Sequence, residues 1–354
     1  MRFYKNQHQY YCGIDLHAKT MYVCIIDKDG KVLVHRNIAS NPGAFLKTIA
    51  PYREDIAVCV ECMFCWYWLA DLCHREKIPF VLGHVLYMKS IHGLKTKNDK
   101  VDSEKIAMLL RAGMIPQAHV YPEKLRATRD LMRRRLFFVR RRAELLAHIK
   151  MTFQQYNLPI SESNLIRAKN RDAVVLPFTD PATVKMLQAD LFMIEHYCEL
   201  IKKLESYIES LKYAKADLGF KLSLLRSVPG IGPILSATIL YEIEDIGRFQ
   251  TVQSFISYCR LIKPKKTSAG KITKASTKGE KKMGNPHLKW AFSEAVMVHL
   301  RDDAEAKAYF QKLLKKHPKG KAMSIMAAKI ARAVYFILQR RAPFNAEAFF
   351  KMAA

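Results

Sequence analysis

The sequence predicts an α/β N-terminal domain, then a long basic helical segment, then a mainly α-helical C-terminal domain. Short apolar runs alternate with helix-like patterns over the first third of the chain. Apolar residues then recur at three- and four-residue steps among many arginines, and a glycine- and proline-rich turn opens the last third. Half of the 354 residues are hydrophobic, which excludes a disordered basic tail. The predicted domains are 1–118, 119–220 and 221–354.

The elements of the N-terminal domain follow from apolar runs and turn residues. Asp29-Gly30 marks a hairpin between the second and third predicted strands. In order, we expect strands at 10–16, 21–27 and 31–36, a helix near 42–51, a strand at 56–61, a helix from 66 to 72 and a strand at 79–85. A helix follows, so the predicted order is β-β-β-α-β-α-β-α.

Four acidic residues of this domain are candidate metal ligands. Asp15 lies inside the first predicted strand and Glu61 ends the fourth. Asp99 and Asp102 are three residues apart at the start of a predicted helix, so both face the same way. A carboxylate in a buried strand is unfavourable unless a cation compensates it, and oxygen-only ligands suit Mg²⁺, one ion or two. Carboxylates around such ions cut or join phosphodiester bonds in many enzymes.

This element order, with acids on the first and fourth strands and on a late helix, is similar to the ribonuclease-H-like fold. That fold has a mixed sheet, and the RuvC-type resolvases share it. The resemblance therefore implies a nuclease-like domain.

The net charge of +27 favours a polyanionic partner, and nucleic acid is the leading candidate. No apolar run of about 18 residues suggests a membrane span, and no signal peptide is expected. The eight cysteines fit reduced thiols, which predicts a cytoplasmic protein. Three of them, Cys59, Cys62 and Cys65, are better explained by packing than by metal binding.

The basic helical segment is predicted to contact phosphate groups. Many like charges on one helix repel each other unless counterions are present, although a solvated helix face is the alternative interpretation. The candidate residues are Arg133, Arg134, Arg135, Arg140, Arg141 and Arg142. Residues 181–213 carry apolar side chains at three- and four-residue steps, which fits a coiled coil with another subunit or an antiparallel helical hairpin with the basic helix.

The C-terminal domain opens with a turn that resembles a helix-hairpin-helix motif. Gly230 and Gly232 would let the backbone approach a DNA phosphate, and a purely structural tight turn is the alternative. The following loops are rich in lysine. Lys265, Lys266 and Lys271 are the phosphate-binding candidates there, and His287 and Lys289 are further candidates.

Motifs along almost the whole chain resemble a transposase of the insertion-sequence 110 family. The C-terminal motifs are Val228-Pro-Gly-Ile-Gly-Pro, Thr267-Ser-Ala-Gly-Lys and Gly284-Asn-Pro-His-Leu-Lys-Trp-Ala-Phe. The stretch from Lys95 to Ala107 resembles the acidic-helix motif of the family. Each motif alone is common, but their combination in this order is specific.

The resemblance implies site-specific DNA recombination that moves an insertion sequence. An acidic tetrad (Asp15, Glu61, Asp99 and Asp102) would bind Mg²⁺, and a serine would form a covalent phosphoserine with DNA. Implied partners are donor DNA, target DNA, a noncoding guide RNA called the bridge RNA, and further copies of the chain as a dimer or tetramer.

Ser268 is the candidate nucleophile because small residues follow it and lysines lie nearby. The family more often has glycine directly after the serine, where this chain has Ala269, so Thr267 and Ser276 stay open as alternatives.

Two other function classes compete with this interpretation. A RuvC-like endonuclease would use the acids with water as nucleophile and would not need Ser268. A non-catalytic nucleic-acid-binding protein would need neither metal nor serine.

His17 is expected to cap the end of its strand, and Trp66, Tyr67 and Trp68 are expected to pack in the core instead of stacking on bases.

Overall fold

The structure is a computed structural model that describes residues 2–88, 98–159, 176–211, 216–262, 266–268, 271–273 and 283–351. For 266–268 and 271–273 it describes the backbone. The chain divides into two compact units, residues 1–124 and 125–354. The predicted three-part division, with boundaries after residues 118 and 220, stays a prediction.

Unit 1 contains a five-stranded mixed sheet in the order β3-β2-β1-β4-β5. The strands are β1 (Tyr10–Leu16), β2 (Thr20–Asp27), β3 (Val32–Ala39), β4 (Ile56–Glu61) and β5 (Phe80–Gly83). The pairs β1–β2 and β2–β3 are antiparallel, while β1–β4 and β4–β5 are parallel. Strand β4 is buried on both faces, which explains why its apolar run is continuous. A continuous apolar run of this length is the signal by which the sequence predicts the strand.

The helices of unit 1 are α1 (Pro42–Ile49), α2 (Tyr67–Arg75), α3 (Val85–Met88) and α4 (Asp99–Arg111), with a 3₁₀ helix at Ala50–Asp55. The observed order therefore contains the predicted β-β-β-α-β-α-β-α pattern and adds the short α3. Asn41 fixes the start of α1, since its side chain accepts a hydrogen bond of 2.9 Å from the backbone N–H of Ala44.

Helix α4 packs directly on β1. A Cβ atom at Gly13 of β1 would lie 2.2 Å from the carbonyl oxygen of Ser103 and 2.3 Å from the backbone nitrogen of Ala107. Only glycine therefore permits this approach of helix to strand.

A break in the helical structure separates the acidic helix α4 from the basic helical segment. Helix α4 ends at Arg111, and α5 (Glu123–Gln155) begins after an intervening connection. Gly113 takes a positive φ of 67° just beyond the helix end, where the left-handed conformation stops α-helices, and Pro116 follows.

Unit 2 is mainly helical, as predicted. After α5 its helices are α6 (Pro181–Ser210), α7 (Ala216–Arg226), α8 (Pro233–Ile243), α9 (Val252–Tyr258), α10 (Pro286–Asp302), α11 (Ala304–Leu314), α12 (Lys319–Arg340) and α13 (Ala346–Lys351), with a 3₁₀ helix at Ile246–Arg248. A short antiparallel hairpin, β6 (Lys266–Ser268) and β7 (Lys271–Thr273), lies where the sequence predicted only loop.

Helices α5 and α6 run side by side in opposite directions within one chain. Their polar contacts join Arg135 to Glu205, Arg142 to Cys198 and His148 to Asp190. Residue numbers rise along α5 as they fall along α6, so the pair is antiparallel. The buried residues of α6 recur every seven positions, at Leu187, Ile194, Ile201 and Ile208. The contacts within the chain thus agree with the antiparallel helical hairpin, one of the two alternatives predicted for residues 181–213. The other alternative, a coiled coil between subunits, stays a prediction.

Helix α12 is long and apolar enough, by length and composition alone, to cross a membrane, so the expectation that no such run exists was wrong. The core helix of a soluble protein passes the same test. Four residues at four-residue spacing, Ala322, Met326, Ile330 and Val334, are buried in the hydrophobic core of unit 2.

Candidate active site

Parallel pairing of β1 with β4 places two predicted ligands at the same edge of the sheet. Ile14 pairs with Val60, so Asp15 and Glu61 each lie one residue beyond that pair, at the carboxyl ends of adjacent strands. Side chains alternate along a strand, so Asp15 points to the same face as Gly13, which is the face that α4 covers. The strands therefore direct both acids toward the helix that carries the other two.

The remaining acids lie in the first turn of α4. Asn98 caps this helix by accepting a hydrogen bond of 3.0 Å from the backbone N–H of Lys100. Burial raises the pKa of Asp15; His17 opposes this rise, while the charges of Asp99 and Asp102 add to it. Three of the four predicted carboxylates, Asp15, Asp99 and Asp102, therefore interact electrostatically.

His17 joins these acids, which the sequence did not predict. Its Nε2 atom lies 3.4 Å from Oδ2 of Asp15 and 3.5 Å from Oδ2 of Asp99. His17 does lie at the end of β1, as expected, yet its ring also reaches both carboxylates. The sequence does contain one signal for this contact: His17 lies two residues after Asp15, which puts both side chains on one face of the strand.

Asp15, His17 and Asp99 are suitably spaced for a divalent cation. Their ligand atoms all lie within 4.8 Å of one another. Adjacent ligands of an octahedral ion at about 2.1 Å lie about 3.0 Å apart, so small side-chain movements would close the group around an ion. Within the described ranges this is the one cluster of three such ligands, and it does not include Cys59, Cys62 or Cys65.

The two other acids have additional contacts. Asp102 forms an ion pair of 3.8 Å with Lys105 one turn along α4. Glu61 is partly buried at the end of β4, and its charge acts on the Cys59 thiol, whose pKa is raised chiefly by burial. Trp66 is buried, as predicted for a core residue.

The predicted basic surface of α5 separates into two groups. Arg133, Arg135 and Arg142 are partly buried and have partners inside the protein: Glu242, Glu205 and the Cys198 sulfur. Glutamates distant in sequence neutralise Arg133 and Arg135 inside the protein, so these two charges have a counterion other than phosphate, and their predicted phosphate contacts stay predictions.

The second group, Arg134, Arg140 and Arg141, is exposed. The guanidinium carbons of Arg134 and Arg141 lie 5.1 and 5.0 Å from the centre of the Phe137 ring, which orders both side chains at the surface. Arg141 also pairs with Glu144 over 2.6 Å, so Arg134 and Arg140 are the better candidates for phosphate contacts.

Unit 2 contains an ion pair between the buried Glu242 and the partly exposed Arg133. Glu242 of α8 is only 2% exposed and accepts hydrogen bonds of 2.7 and 2.8 Å from Arg133 and one of 2.7 Å from the Asn285 amide. Burial acts to raise the pKa of Glu242, but Arg133 and Asn285 outweigh it and lower that pKa. Glu242 therefore stays ionised, and it links α5, α8 and the start of α10. Nothing local in the sequence predicted this contact.

The same asparagine holds together the two ends of the segment that contains β6 and β7. The backbone N–H of Asn285 donates to the carbonyl oxygen of Tyr258 over 2.6 Å, and Nε of Arg260 donates to the carbonyl oxygen of Gly284 over 2.9 Å. Gly284 has a φ of 88°, and a Cβ there would lie 2.5 Å from the Tyr258 carbonyl oxygen. We call these contacts, Tyr258 and Arg260 with Gly284 and Asn285, the segment base.

Ser268 is the last residue of β6 and pairs with Lys271 of β7. Lys266 and Thr267 lie in β6, whereas Lys265 and the alternative nucleophile Ser276 lie outside the described residues. His287, in the first turn of α10, has a pKa lowered chiefly by burial, with nearby arginines including Arg140 acting in the same direction. The roles of these residues stay predictions.

The two glycines of the α7–α8 turn differ in their surroundings. Gly230 has a φ of 87°, and a Cβ there would lie 2.3 Å from the carbonyl oxygen of Ala295 on α10, so close helix packing already requires this glycine. A Cβ at Gly232, the N-cap of α8, would meet no atom of the described residues within 4 Å. Gly232 is therefore the more open of the two predicted phosphate sites, and its phosphate contact is untested.

The mixed sheet carries acids at the ends of two adjacent strands, and the helix that packs on it carries two more. Residues 12–158 match a DEDD transposase model described as "Transposase", and residues 222–311 match the model "Transposase IS116/IS110/IS902 family". The chain belongs to this insertion-sequence 110 family of transposases.

Two relatives are similar over nearly their full lengths. The pilin gene-inverting protein of Moraxella lacunata is 30% identical over 360 residues, which cover 95% of this chain and 97% of the relative. The transposase for insertion sequence element IS1111A of Coxiella burnetii is 23% identical over 346 residues, which cover 94% and 90%.

Proposed function

We propose that the protein moves an insertion sequence by cleaving DNA through a serine nucleophile and rejoining it, with an acidic metal centre as cofactor site. The observation that carries this proposal is the convergence of Asp15 and Asp99, with His17, inside a domain of the DEDD transposase type. The names of both relatives describe DNA rearrangement: one inverts a pilin gene, and the other is the transposase of an insertion sequence.

Asp15, Glu61, Asp99 and Asp102 would hold one or two Mg²⁺ ions. A bound ion supplies polarisation of the scissile phosphate and stabilisation of the leaving oxygen. The burial of Asp15 supports this role, because a partly buried carboxylate near two others is stabilised when a cation is present. His17 would orient Asp15 and Asp99 or add a nitrogen ligand.

Ser268 would attack the phosphorus of one phosphodiester bond. Its Oγ forms a bond to phosphorus, the bond from phosphorus to one DNA oxygen breaks, and that oxygen takes up a proton equivalent to the one the serine loses. The phosphoserine keeps the energy of the broken bond, so attack by a DNA hydroxyl group restores the serine and joins two DNA ends.

Donor DNA, target DNA and a bridge RNA are the proposed nucleic-acid partners. The net charge of +27 and the exposed Arg134, Arg140 and Arg141 support binding to phosphate backbones.

A homo-oligomer, dimer or tetramer, is supported by a second apolar row on α6. Met186, Met193, Leu200 and Tyr207 recur every seven residues and are exposed. A seven-residue repeat is the spacing of coiled-coil seams, so this row suits a second copy of the chain.

The deciding experiment incubates the full-length protein with end DNA of its element, the adjacent noncoding RNA and Mg²⁺. The readout is a protein–DNA adduct that survives denaturation, compared among the wild type, Ser268→Ala, Thr267→Ala and Ser276→Ala. An adduct that only Ser268→Ala loses supports the proposal. If the adduct is lost in Thr267→Ala or Ser276→Ala instead, the residue replaced in that variant is the nucleophile.

The same experiment tests the two alternatives. Cleavage that leaves no adduct and is unchanged in Ser268→Ala would identify a RuvC-like endonuclease that uses water. An Asp15→Asn variant with full function and no metal requirement would identify a non-catalytic nucleic-acid-binding protein.

A further inference from the structure

Phe64 is the most exposed large hydrophobic residue in the described part of the chain, with 82% of its surface accessible. Its neighbours Cys62 and Met63 are also exposed. An exposed phenylalanine adds little to the stability of unit 1, because burial of apolar surface is what stabilises a fold. Its position therefore calls for a partner outside the core.

Phe64 lies in the loop that follows Glu61, and hydrogen bonds fix both sides of this loop across the edge of the sheet. The Cys62 N–H donates to the carbonyl oxygen of Gly83 over 2.9 Å. The Cys65 thiol donates to the carbonyl oxygen of Leu16 over 3.3 Å. The loop thus passes from the end of β5 to the end of β1.

This course brings the loop close to the part of the chain that carries two of the metal-ligand candidates. Leu16 lies between Asp15 and His17, and Cys65, the residue after Phe64, contacts Leu16. The charge of Asp15 also adds to the rise that burial causes in the pKa of Cys65. Phe64 is therefore one residue away from a side chain that touches the strand of the catalytic acid.

The residues that follow Phe64 are packed in the domain although Phe64 itself is exposed. Trp66 is buried at the start of α2, and its ring packs edge-on against Tyr67 at 4.6 Å between centroids. A side chain presented from a fixed loop loses little conformational entropy when it binds. Phe64 is thus held outward by its surroundings.

We infer that Phe64 stacks on a DNA base next to the phosphate held at the metal centre, acting as an apolar wedge between neighbouring bases. Every base offers an aromatic face, and apolar side chains inserted between base steps unstack them. A protein partner is less suitable, because protein contacts use apolar patches of several hundred Å², whereas the exposed surface here is Phe64 with only Met63 and Cys62 beside it. The inference rests on the proposed function, since it assigns Phe64 to the DNA on which the centre acts.

The test uses end DNA with 2-aminopurine placed in turn at positions near the cleavage site, in Ca²⁺ to allow binding with little cleavage. Binding of the wild type should raise fluorescence at one position, because stacking by Phe64 separates neighbouring bases. Phe64→Ala should lose this signal and bind DNA roughly 5- to 150-fold more weakly, whereas Phe64→Trp should retain both. Phe192→Ala, which removes a 60% exposed phenylalanine from α6, is the matched control and should behave as wild type.

Three results would overturn the inference: unchanged fluorescence and affinity in Phe64→Ala, equal losses in Phe192→Ala, or a change of oligomeric state by light scattering with DNA binding intact. Ser268→Ala should keep the fluorescence signal, since stacking does not need the serine. The adduct assay therefore tests the serine chemistry, and the fluorescence assay tests the stacking by Phe64 independently of it.

Discussion

Replacing Gly13 with alanine should separate the two elements that carry the metal ligands. The new methyl group would lie 2.2 Å from the Ser103 carbonyl oxygen and 2.3 Å from the Ala107 nitrogen. These are backbone atoms of α4 and cannot rotate away, so the helix must move as a body.

The size of this movement follows from the contact distance. Ordinary contact with a Cβ begins at 3.4 Å, so α4 must retreat by 3.4 − 2.2 = 1.2 Å near Ser103. The turn that bears Asp99, now 3.5 Å from His17, moves with it. Functional groups tolerate shifts of about 0.5 Å, and a misplacement of about 1 Å can lower a rate roughly 100-fold. Overpacking of this kind destabilises a fold by about 1–3 kcal/mol, which most folds survive.

Two measurements on Gly13→Ala test this reasoning. Urea denaturation should show a moderate loss of stability, and adduct formation with end DNA at saturating Mg²⁺ should fall about 100-fold. Gly43→Ala in α1 is the matched control, because its new methyl group would meet only the Asn41 Oδ1 atom at 3.6 Å. That control should keep full activity and equal or slightly higher stability, since alanine favours helices.

A Gly13→Ala protein that binds metal and cuts DNA like the wild type would refute the reasoning. It would mean that the position of α4 on β1 does not set the geometry of the ligands. A protein that is destabilised but fully active when folded would lead to the same conclusion.

His17→Ala should weaken Zn²⁺ binding by at least about tenfold and Mg²⁺ binding less, since imidazole suits Zn²⁺ better; calorimetric titration measures both, and equal losses would contradict a ligand role. Glu242→Gln should lower the free energy of unfolding, by less than the about 3–5 kcal/mol typical of a broken buried pair, because 37% of the Arg133 side chain is exposed. The pKa of Glu242 is lowered on folding, so its contribution is complete above the ordinary value of 4.5 and declines as pH falls below it. Urea denaturation across pH should show this decline in the wild type and not in Glu242→Gln. Arg134→Ala and Arg140→Ala should each reduce the salt dependence of DNA binding by about one phosphate contact without changing stability; fluorescence anisotropy at increasing NaCl measures the slope, and an unchanged slope would exclude that contact.

The sheet was predictable because its signals are local. The apolar run Ile56–Glu61 is buried on both faces, so it reads as a strand without reference to the rest of the chain. The acids at the ends of β1 and β4 were conspicuous for the same reason: each interrupts or ends an apolar run. The helix end at Arg111 has a weaker local signal, because basic and apolar residues continue on both sides of Gly113.

Contacts between distant positions were not predictable. The arginines of α5 looked uncompensated because Glu205 and Glu242, which bind Arg135 and Arg133, come from helices far along the chain. His17 was undervalued since its approach to Asp99 depends on α4 packing on β1. A single sequence gives the faces of helices and strands, but which charged side chains meet is decided by tertiary packing.

The segment base makes the chain between Arg260 and Gly284 an exchangeable unit. Its two ends are held by one backbone hydrogen bond, by one hydrogen bond from the Arg260 side chain, and by Asn285, which is anchored on the buried Glu242. Closing a flexible loop becomes less favourable by only about 0.6 kcal/mol each time its length doubles. The contacts that join the two ends come from residues that bracket the segment, so a change of length between Arg260 and Gly284 is expected to leave the helical core of unit 2 folded.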